Sequence, residues 1–136
     1  MRVFLDANVL FSAAKSAGAV RALLEELLRL GHECCADAYV VEEARRNLAA
    51  KAPGAGAALD RLLRRMSVAA LQPSGALPEE AQALPEKDQP VFAAAMRSGC
   101  DVLLTGDRTH FGRWFGRPIA GVTIHSPRSL AEAVLR

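Results

Sequence analysis

The sequence predicts an α/β fold, a three-layer α/β/α sandwich whose central, mostly parallel sheet has five strands. Short apolar runs that suit buried strands alternate with longer segments whose apolar residues recur at helical spacing. This alternation implies right-handed βαβ units and a parallel sheet covered by helices on both faces. The 136 residues fit one domain, residues 1–136, and about half of them are apolar, so the chain can bury a core.

Apolar runs and turn residues place each element. The predicted strands lie at residues 2–5, 33–36, 67–71, 101–105 and 121–125. The predicted helices begin near Ala19, Ala38, Leu59, Asp88 and Ser126. Gly31 and Gly99 are placed to end two of these helices, and Asp37 is placed to cap another. Residues 111–115 predict one helical turn, and residues 72–85, with three prolines, predict a loop with at most a short helix.

Composition narrows the function classes. The net charge of +2 does not indicate a nucleic-acid binder, although acids in a cleft with bases at its rim are compatible with that total. Cys34, Cys35 and Cys100 have no zinc-site spacing and predict reduced, mostly buried thiols. Neither a secretory leader nor a membrane-spanning run is evident, so we expect a cytoplasmic protein with no membrane partner.

Four carboxylates are expected at one edge of the sheet. Asp6 follows the first strand and Asp107 the fourth, so both project from the carboxyl edge where α/β folds bind ligands. Asp88 begins the helix that leads into the fourth strand, and Glu43 lies about two turns into the second helix. Converging carboxylates repel one another unless a cation neutralises them. Oxygen ligands without His or Cys companions select Mg²⁺ or Mn²⁺, which suits phosphodiester hydrolysis.

Each acid also has an ordinary structural explanation. Asp6 and Asp107 are well placed as turn residues, and Asp88 as a helix cap. Glu43, beside Glu42, fits the solvated surface of a helix. The joint placement of the four acids, rather than any one of them, therefore carries the hypothesis.

Three motifs carry a resemblance to one known family. The opening residues VFLDANVL are similar to the family's first motif, with a metal-binding Asp6 and a supporting Asn8. The segment VEEARRNL is similar to the second, and aligns the family's Glu with Glu43, with Glu42 as the alternative. The most specific stretch runs from KDQP to CDVLLTGD and holds Asp88 and Asp107. Together these motifs resemble the PIN-domain family, and the resemblance covers essentially the whole chain.

The resemblance implies a Mg²⁺- or Mn²⁺-dependent ribonuclease of the branch found among toxins of toxin–antitoxin pairs. It implies that Asp6, Asp88 and Asp107 bind the metal and that Glu43 binds metal or positions the attacking water. Asn8 and Thr105 would hold ligands and substrate phosphate by hydrogen bonds. An antitoxin protein and a homodimer are the implied protein partners.

Basic residues near the last acid are candidates for substrate binding. Arg108 could line an RNA path and His110 could contact a phosphate, although a solvated basic face and a packing histidine are the ordinary alternatives. Further basic residues could instead receive an acidic or amphipathic partner segment: Arg45, Arg46, Lys51, Arg61, Arg64 and Arg65.

Other function classes fit less well. A PIN fold that binds RNA or protein without cutting remains the alternative to the nuclease. A haloacid-dehalogenase-like phosphatase needs a second Asp two residues after the first, where this chain has Asn8. A dinucleotide-binding domain is disfavoured because no glycine-rich loop follows the first strand.

Overall fold

A mostly parallel sheet of six strands runs through the computed structural model, which describes residues 1–70 and 77–135. The strands are β1 (Arg2–Leu5), β2 (Glu33–Asp37), β3 (Ser67–Ala69), β4 (Val102–Leu104), β5 (Arg117–Ile119) and β6 (Val122–His125). Their order is β3-β2-β1-β4-β6-β5, and every pairing is parallel except the antiparallel pair of β5 and β6. The predicted α/β class with helices flanking a mostly parallel sheet is confirmed.

Seven α-helices accompany the sheet in the described part of the chain. They are α1 (Ala7–Lys15), α2 (Ala19–Arg29), α3 (Ala38–Lys51), α4 (Gly56–Leu63), α5 (Gln89–Arg97), α6 (Arg108–Phe111) and α7 (Pro127–Val134). Short 3₁₀ turns lie at Pro53–Ala55, Glu79–Ala83, Glu86–Asp88 and Gly112–Trp114. The turn at Glu79–Ala83 matches the short helix allowed in the loop, while residues 71–76 of the predicted strand and loop lie outside the described residues.

The predicted count of five strands is wrong, because β5 forms a sixth. Its central residue is Pro118, which removes a ladder donor and suits only an edge strand, so the sequence pattern did not indicate a strand there. A two-residue turn joins β5 to β6, and both of its residues, Ala120 and Gly121, have positive φ (49° and 85°). Asn-Gly or Asp-Gly would have signalled such a hairpin, whereas Ala-Gly does not.

Helix α1 was also absent from the prediction. It begins directly after Asp6, so its apolar residues continue the apolar run of β1 and hide the change from strand to helix. Its buried face consists of Ala7, Val9, Leu10, Ala13 and Ala14.

The crossover directions place helices on both faces of the sheet. The connections from β1 to β2 and from β2 to β3 advance in one direction, whereas the connection from β3 to β4 returns past β1. Right-handed crossovers therefore put α1–α4 on one face and α5 on the other. Contacts between elements agree with this arrangement, since α1 packs against α2, α3 and α4, while α5 packs against β4. The largest fully buried side chains are Phe4, Phe92 and Phe111.

The caps predicted at Asp37 and Gly31 are confirmed. Asp37 Oδ1 accepts from the Val40 N–H at 3.0 Å and caps α3. Ser126 forms a capping box with Ser129 at the start of α7, and Gly31 follows α2 with a φ of 88°. The three cysteines, all within the described residues, are buried and unpaired. No helix of residues 1–70 or 77–135 is long and apolar enough to cross a bilayer.

Candidate metal centre

The acidic residues gather where the chain reverses its direction across the sheet. β1 and β4 are neighbours, yet β1 is followed by a helix on one face and β4 is preceded by a helix on the other. Such a switch point leaves a crevice beyond the carboxyl ends of the strands. Asp6 extends β1 into this crevice, and its N–H donates to the Leu104 carbonyl oxygen at 2.9 Å. Asp107 follows β4 at the same edge.

The two carboxylate oxygens of Asp6 have different hydrogen-bond partners. Oδ1 accepts from the Ala7 N–H at 2.8 Å and caps α1. Oδ2 accepts from the Thr105 hydroxyl at 2.8 Å and from Asn8 Nδ2 at 3.2 Å. Burial raises the pKa of the Asp6 carboxyl, the bonds from Thr105 and Ala7 lower it, and nearby negative charges raise it further. Those charges belong to Glu43 and Asp88.

Asn8 and Thr105 tie the loops after β1 and β4 together. Asn8 Oδ1 accepts from the Gly106 N–H at 2.7 Å, and Thr105 Oγ1 accepts from the Asp107 N–H at 3.2 Å. Thr105 is fully buried, so its bonds are shielded from water. A Cβ at Gly106 would lie 3.3 Å from Asn8 Oδ1, closer than a side chain readily tolerates. Glycine therefore permits the approach that links the two acid-bearing loops.

Asp88, Asp107 and His110 form the most compact cluster. His110 Nδ1 lies 2.9 Å from Asp107 Oδ2 and 3.1 Å from Asp88 Oδ2. Asp107 Oδ1 meanwhile accepts from the His110 N–H at 3.1 Å and caps α6. Asp88 precedes α5 without capping it through its side chain. The ordinary explanation of Asp88 as a helix cap is therefore not realised.

One cleft of about 310 Å³ collects all four predicted acids. Its lining consists of Asp6, Asn8, Tyr39, Val40, Glu43, Lys87, Asp88, Pro90, Val91, Asp107 and His110. Glu43 is half-buried there, whereas Glu42 is exposed and is not part of the lining. The geometry therefore favours Glu43 over Glu42 as the site glutamate. Thr105 lies behind Asp6, and Arg108 is exposed and outside the lining.

The sequence analysis did not assign a role to two residues of this lining. Lys87 stood in the quoted KDQP motif, and its position beside Asp88 was the available signal. Tyr39 is the chain's one tyrosine and follows the Asp37 cap, where it is 49% exposed. The sequence also left the direction of the His110 ring undetermined.

The residues fit a divalent cation. Four carboxylates line a cleft whose basic lining residues, among those described, are Lys87 and His110. Within the described residues, one ligand atom from each of Asp88, Asp107 and His110 lies within 4.8 Å of the other two. Asp88 Oδ2 and His110 Nδ1 are buried without a hydrogen bond, a costly state that a bound ion relieves. The donor set can thus hold a hard or borderline divalent ion.

Comparison with known families decides the classification. The family description "PIN domain" matches residues 2–109, most of the chain and all four acids. The chain belongs to the PIN-domain family. His110 lies one residue beyond the matched range, and β5, β6 and α7 also lie beyond it.

A solved structure agrees in fold with this chain. It is the crystal structure of VapBC2 from Rickettsia felis bound to a DNA fragment from its promoter. The two share 14% identity with a TM-score of 0.63, and the match covers 93% of this chain and 98% of the other. At this identity the likeness concerns the fold. No curated protein matches the sequence.

Proposed function

We propose that this PIN domain is a metal-dependent ribonuclease that hydrolyses RNA phosphodiester bonds. The convergence of Asp6, Glu43, Asp88 and Asp107 in one cleft carries the proposal. Carboxylates gathered in one cleft repel one another and reduce stability, and the Asp88 side chain contributes no helix cap in return. A fold that only bound RNA or protein would have no need for them.

Asp6, Asp88 and Asp107 are the proposed metal ligands, with Mg²⁺ or Mn²⁺ as the cofactor. A bound divalent ion supplies Lewis-acid chemistry, generating a nucleophilic water and stabilising the charge of the departing oxygen. The hydrogen bonds from Thr105 and Asn8 fix the Asp6 carboxylate in one orientation. Hydrogen-bond partners of this kind hold a ligand ready for its ion.

The position of Glu43 on a helix supports a separate role for this acid. It approaches the cleft from α3, whereas Asp6 and Asp107 follow strands of the sheet. We assign it either a place on the metal or the orientation of the attacking water, as a carboxylate that accepts the water's hydrogen bond.

Substrate phosphate would meet the basic side chains and helix ends around the cleft. Lys87 lies on the lining, and Arg108 stands at the exposed start of α6. The N-termini of α1 and α5 begin at Asp6 and Asp88, and helix N-termini favour phosphate. A second cleft of about 370 Å³ shares Asn8 and Asp107 with the first and offers a path for the neighbouring nucleotide.

The biological role we propose is that of a toxin with an antitoxin partner. The fold likeness to VapBC2 supports this role, as does the resemblance of the motifs. Some of the basic residues named as a partner surface already have intramolecular partners. Arg45 pairs with Asp60 at 2.6 Å and Arg65 with Glu25 at 2.7 Å, so a partner segment would have to compete with these surface ion pairs.

The decisive experiment measures cleavage of end-labelled RNA with Mg²⁺ or Mn²⁺, and with EDTA as the metal-free control. Asp88→Asn and Asp107→Asn remove charge while leaving the hydrogen bonds of Asp6 in place, and the amide oxygen that the second substitution introduces can still cap α6. We expect each to slow cleavage by at least roughly 100-fold, because each removes a metal ligand. Their melting temperatures in EDTA should equal or exceed that of the wild type, since carboxylate repulsion is relieved.

Two results would contradict the proposal. Cleavage that survives both substitutions would indicate a contaminant or a different centre. Absence of cleavage together with absence of Mn²⁺ binding by calorimetry would favour the binding module instead. Glu42→Gln is the matched control, because it removes an acid of the same helix that lies outside the cleft.

A further inference from the structure

We propose that His110 is a nitrogen ligand of the metal centre and that it biases the centre toward Mn²⁺ over Mg²⁺. This inference rests on the proposed metal centre and assigns it a ligand outside the four carboxylates. It replaces the substrate-binding role expected for His110 from its place in the sequence.

The direction of the ring is the first observation. Nδ1 of His110 points into the cleft and lies within 3.1 Å of both Asp88 Oδ2 and Asp107 Oδ2. Nδ1 and Asp88 Oδ2 both lack a hydrogen-bond partner, so neither short contact is a hydrogen bond. Both atoms are also shielded from water, although the side chains are 25% and 13% exposed. A nitrogen and two carboxylate oxygens therefore lie close together with no hydrogen bond to Nδ1, in contacts that would be ion pairs if the ring were protonated.

Their spacing is the second observation. Adjacent ligands of an octahedral ion at about 2.1 Å lie about 3 Å apart. The two nitrogen–oxygen separations, 2.9 and 3.1 Å, agree with that spacing. The same distances would also suit hydrogen bonds, but His110 Nδ1 forms none.

Local structure holds the ring in this position. Asp107 Oδ1 caps α6 by accepting from the His110 N–H, so the same carboxylate fixes the His110 backbone and faces its ring. The neighbouring Phe111 is buried in the core and anchors the end of the helix. The four-residue helix thus presents its third residue to the acids.

A nitrogen ligand changes which ion the site prefers. Mg²⁺ favours oxygen ligands and loses water reluctantly, whereas imidazole suits transition metals, for which affinity rises along the series that begins with Mn²⁺. A ligand set of Asp88, Asp107 and His110, with Asp6 in the same cleft, should therefore bind Mn²⁺ more tightly than an all-carboxylate set would. Mg²⁺ should gain little from the imidazole.

The test compares metal binding by the purified wild type with that of His110→Asn. Asn keeps a polar group near the position of Nδ1 but has no imidazole nitrogen. We expect Mn²⁺ affinity, measured by calorimetry, to fall roughly ten- to one-hundred-fold while Mg²⁺ affinity changes little. Pulsed electron paramagnetic resonance of bound Mn²⁺ should show nitrogen coupling in the wild type that is lost in His110→Asn.

His32→Asn is the matched control, because His32 contacts the N-terminal amine, far from the cleft in the described structure. It should retain the nitrogen coupling. His110→Ala serves as a second variant, and circular dichroism verifies that each variant is folded.

The outcomes separate this inference from the proposed function. Mn²⁺ bound to the wild type without nitrogen coupling, or coupling that persists in His110→Asn, would overturn the role of His110 and leave the carboxylate centre standing. Weaker RNA binding by His110→Asn with unchanged Mn²⁺ affinity would return His110 to the substrate. A wild type that binds neither ion would overturn the metal centre itself, and this inference with it.

Discussion

Two carboxylates in this cleft cap helices and also line the proposed metal site. Asp6 and Asp107 each use one oxygen to cap a helix and leave the other in the cleft. The capping explanation and the metal explanation are therefore compatible for these two acids. Asp88 distinguishes the two explanations, because its side chain caps no helix and its Oδ2 is buried without a hydrogen bond. For Asp107 and Asp88, the oxygen that caps no helix is therefore the one that we assign to the proposed metal.

The Asp6 pKa makes the metal-free protein sensitive to pH. The folded protein holds this proton more tightly than the unfolded chain, because burial raises the pKa. This contribution to stability is greatest below the ordinary Asp pKa of about 3.9 and falls as pH rises through the folded-state value. Binding of the proposed metal needs the Asp6 carboxylate, so the metal affinity should weaken as pH falls through the same window.

Thr105→Val tests this arrangement. It deletes the hydroxyl that donates to Asp6 Oδ2, so the Asp6 pKa should rise further and the pH at which Mn²⁺ affinity declines should move upward. The variant should also lose about 1–3 kcal/mol of unfolding free energy, because the Asp107 N–H and Asn8 Nδ2 each lose an acceptor. Calorimetry with Mn²⁺ across acidic to neutral pH measures the first effect. Thr105→Ser keeps the hydroxyl and should keep the wild-type midpoint; equal midpoints in both variants would refute the role.

At the scale of elements, helix starts determine how the site is built. Helix α1 starts after Asp6, α5 starts after Asp88, and α6 starts after Asp107. Glu43 reaches the cleft from within α3, six residues after the Asp37 cap. The orientation of α3 at its N-terminus therefore governs where Glu43 lies.

Asp37→Ala should weaken that helix start. Asp37 is 6% exposed and its Oδ1 satisfies the Val40 N–H, which Ala leaves unpaired. The unfolding free energy should fall by about 1 kcal/mol, the usual contribution of an N-cap. Urea denaturation measures the change. Asp37→Ser retains a capping oxygen and should recover most of the loss, whereas an equal loss in both variants would show that the carboxylate has another structural role.

At the scale of the whole molecule, the segment beyond the family match completes the sheet. Strand β6 pairs with β4, the strand that precedes Asp107, and α7 contacts α2 on the helical face. Residues 110–135 therefore support the site from outside residues 2–109. We propose that residues 1–136 form one cooperative unit.

Comparing unfolding curves from two probes would test whether the chain unfolds as one unit. Trp114 is the chain's one tryptophan and packs against the core from the segment beyond the family match, so its fluorescence reports on that segment. Circular dichroism at helical wavelengths reports mainly on helices from the whole chain. We expect the two probes to give the same urea midpoint, as two-state unfolding requires. A lower midpoint for Trp114 would show that the C-terminal segment unfolds separately.

Local patterns in the sequence were enough to determine the fold class and most of the elements, and they indicated the four acids that line one cleft. Strand runs, helical spacing and caps such as Asp37 and Ser126 depend on neighbours along the chain, so they can be read from it. The edge strand β5 and helix α1 were not predicted, because their local sequence signals are concealed. Pro118 conceals the strand, and the apolar run across Asp6 conceals the start of the helix.

Only the tertiary structure decided how the acids are arranged. The selection of Glu43 over Glu42 depends on which face of α3 meets the sheet edge, and both residues fit the sequence pattern equally. The direction of the His110 ring depends on the turn after β4 and on the anchoring of Phe111. The bonds of Thr105 to Asp6 and Asn8 join loops that are about a hundred residues apart in the chain. Distances between side chains on separate strands are set by packing of the whole sheet, and no local stretch of sequence encodes them.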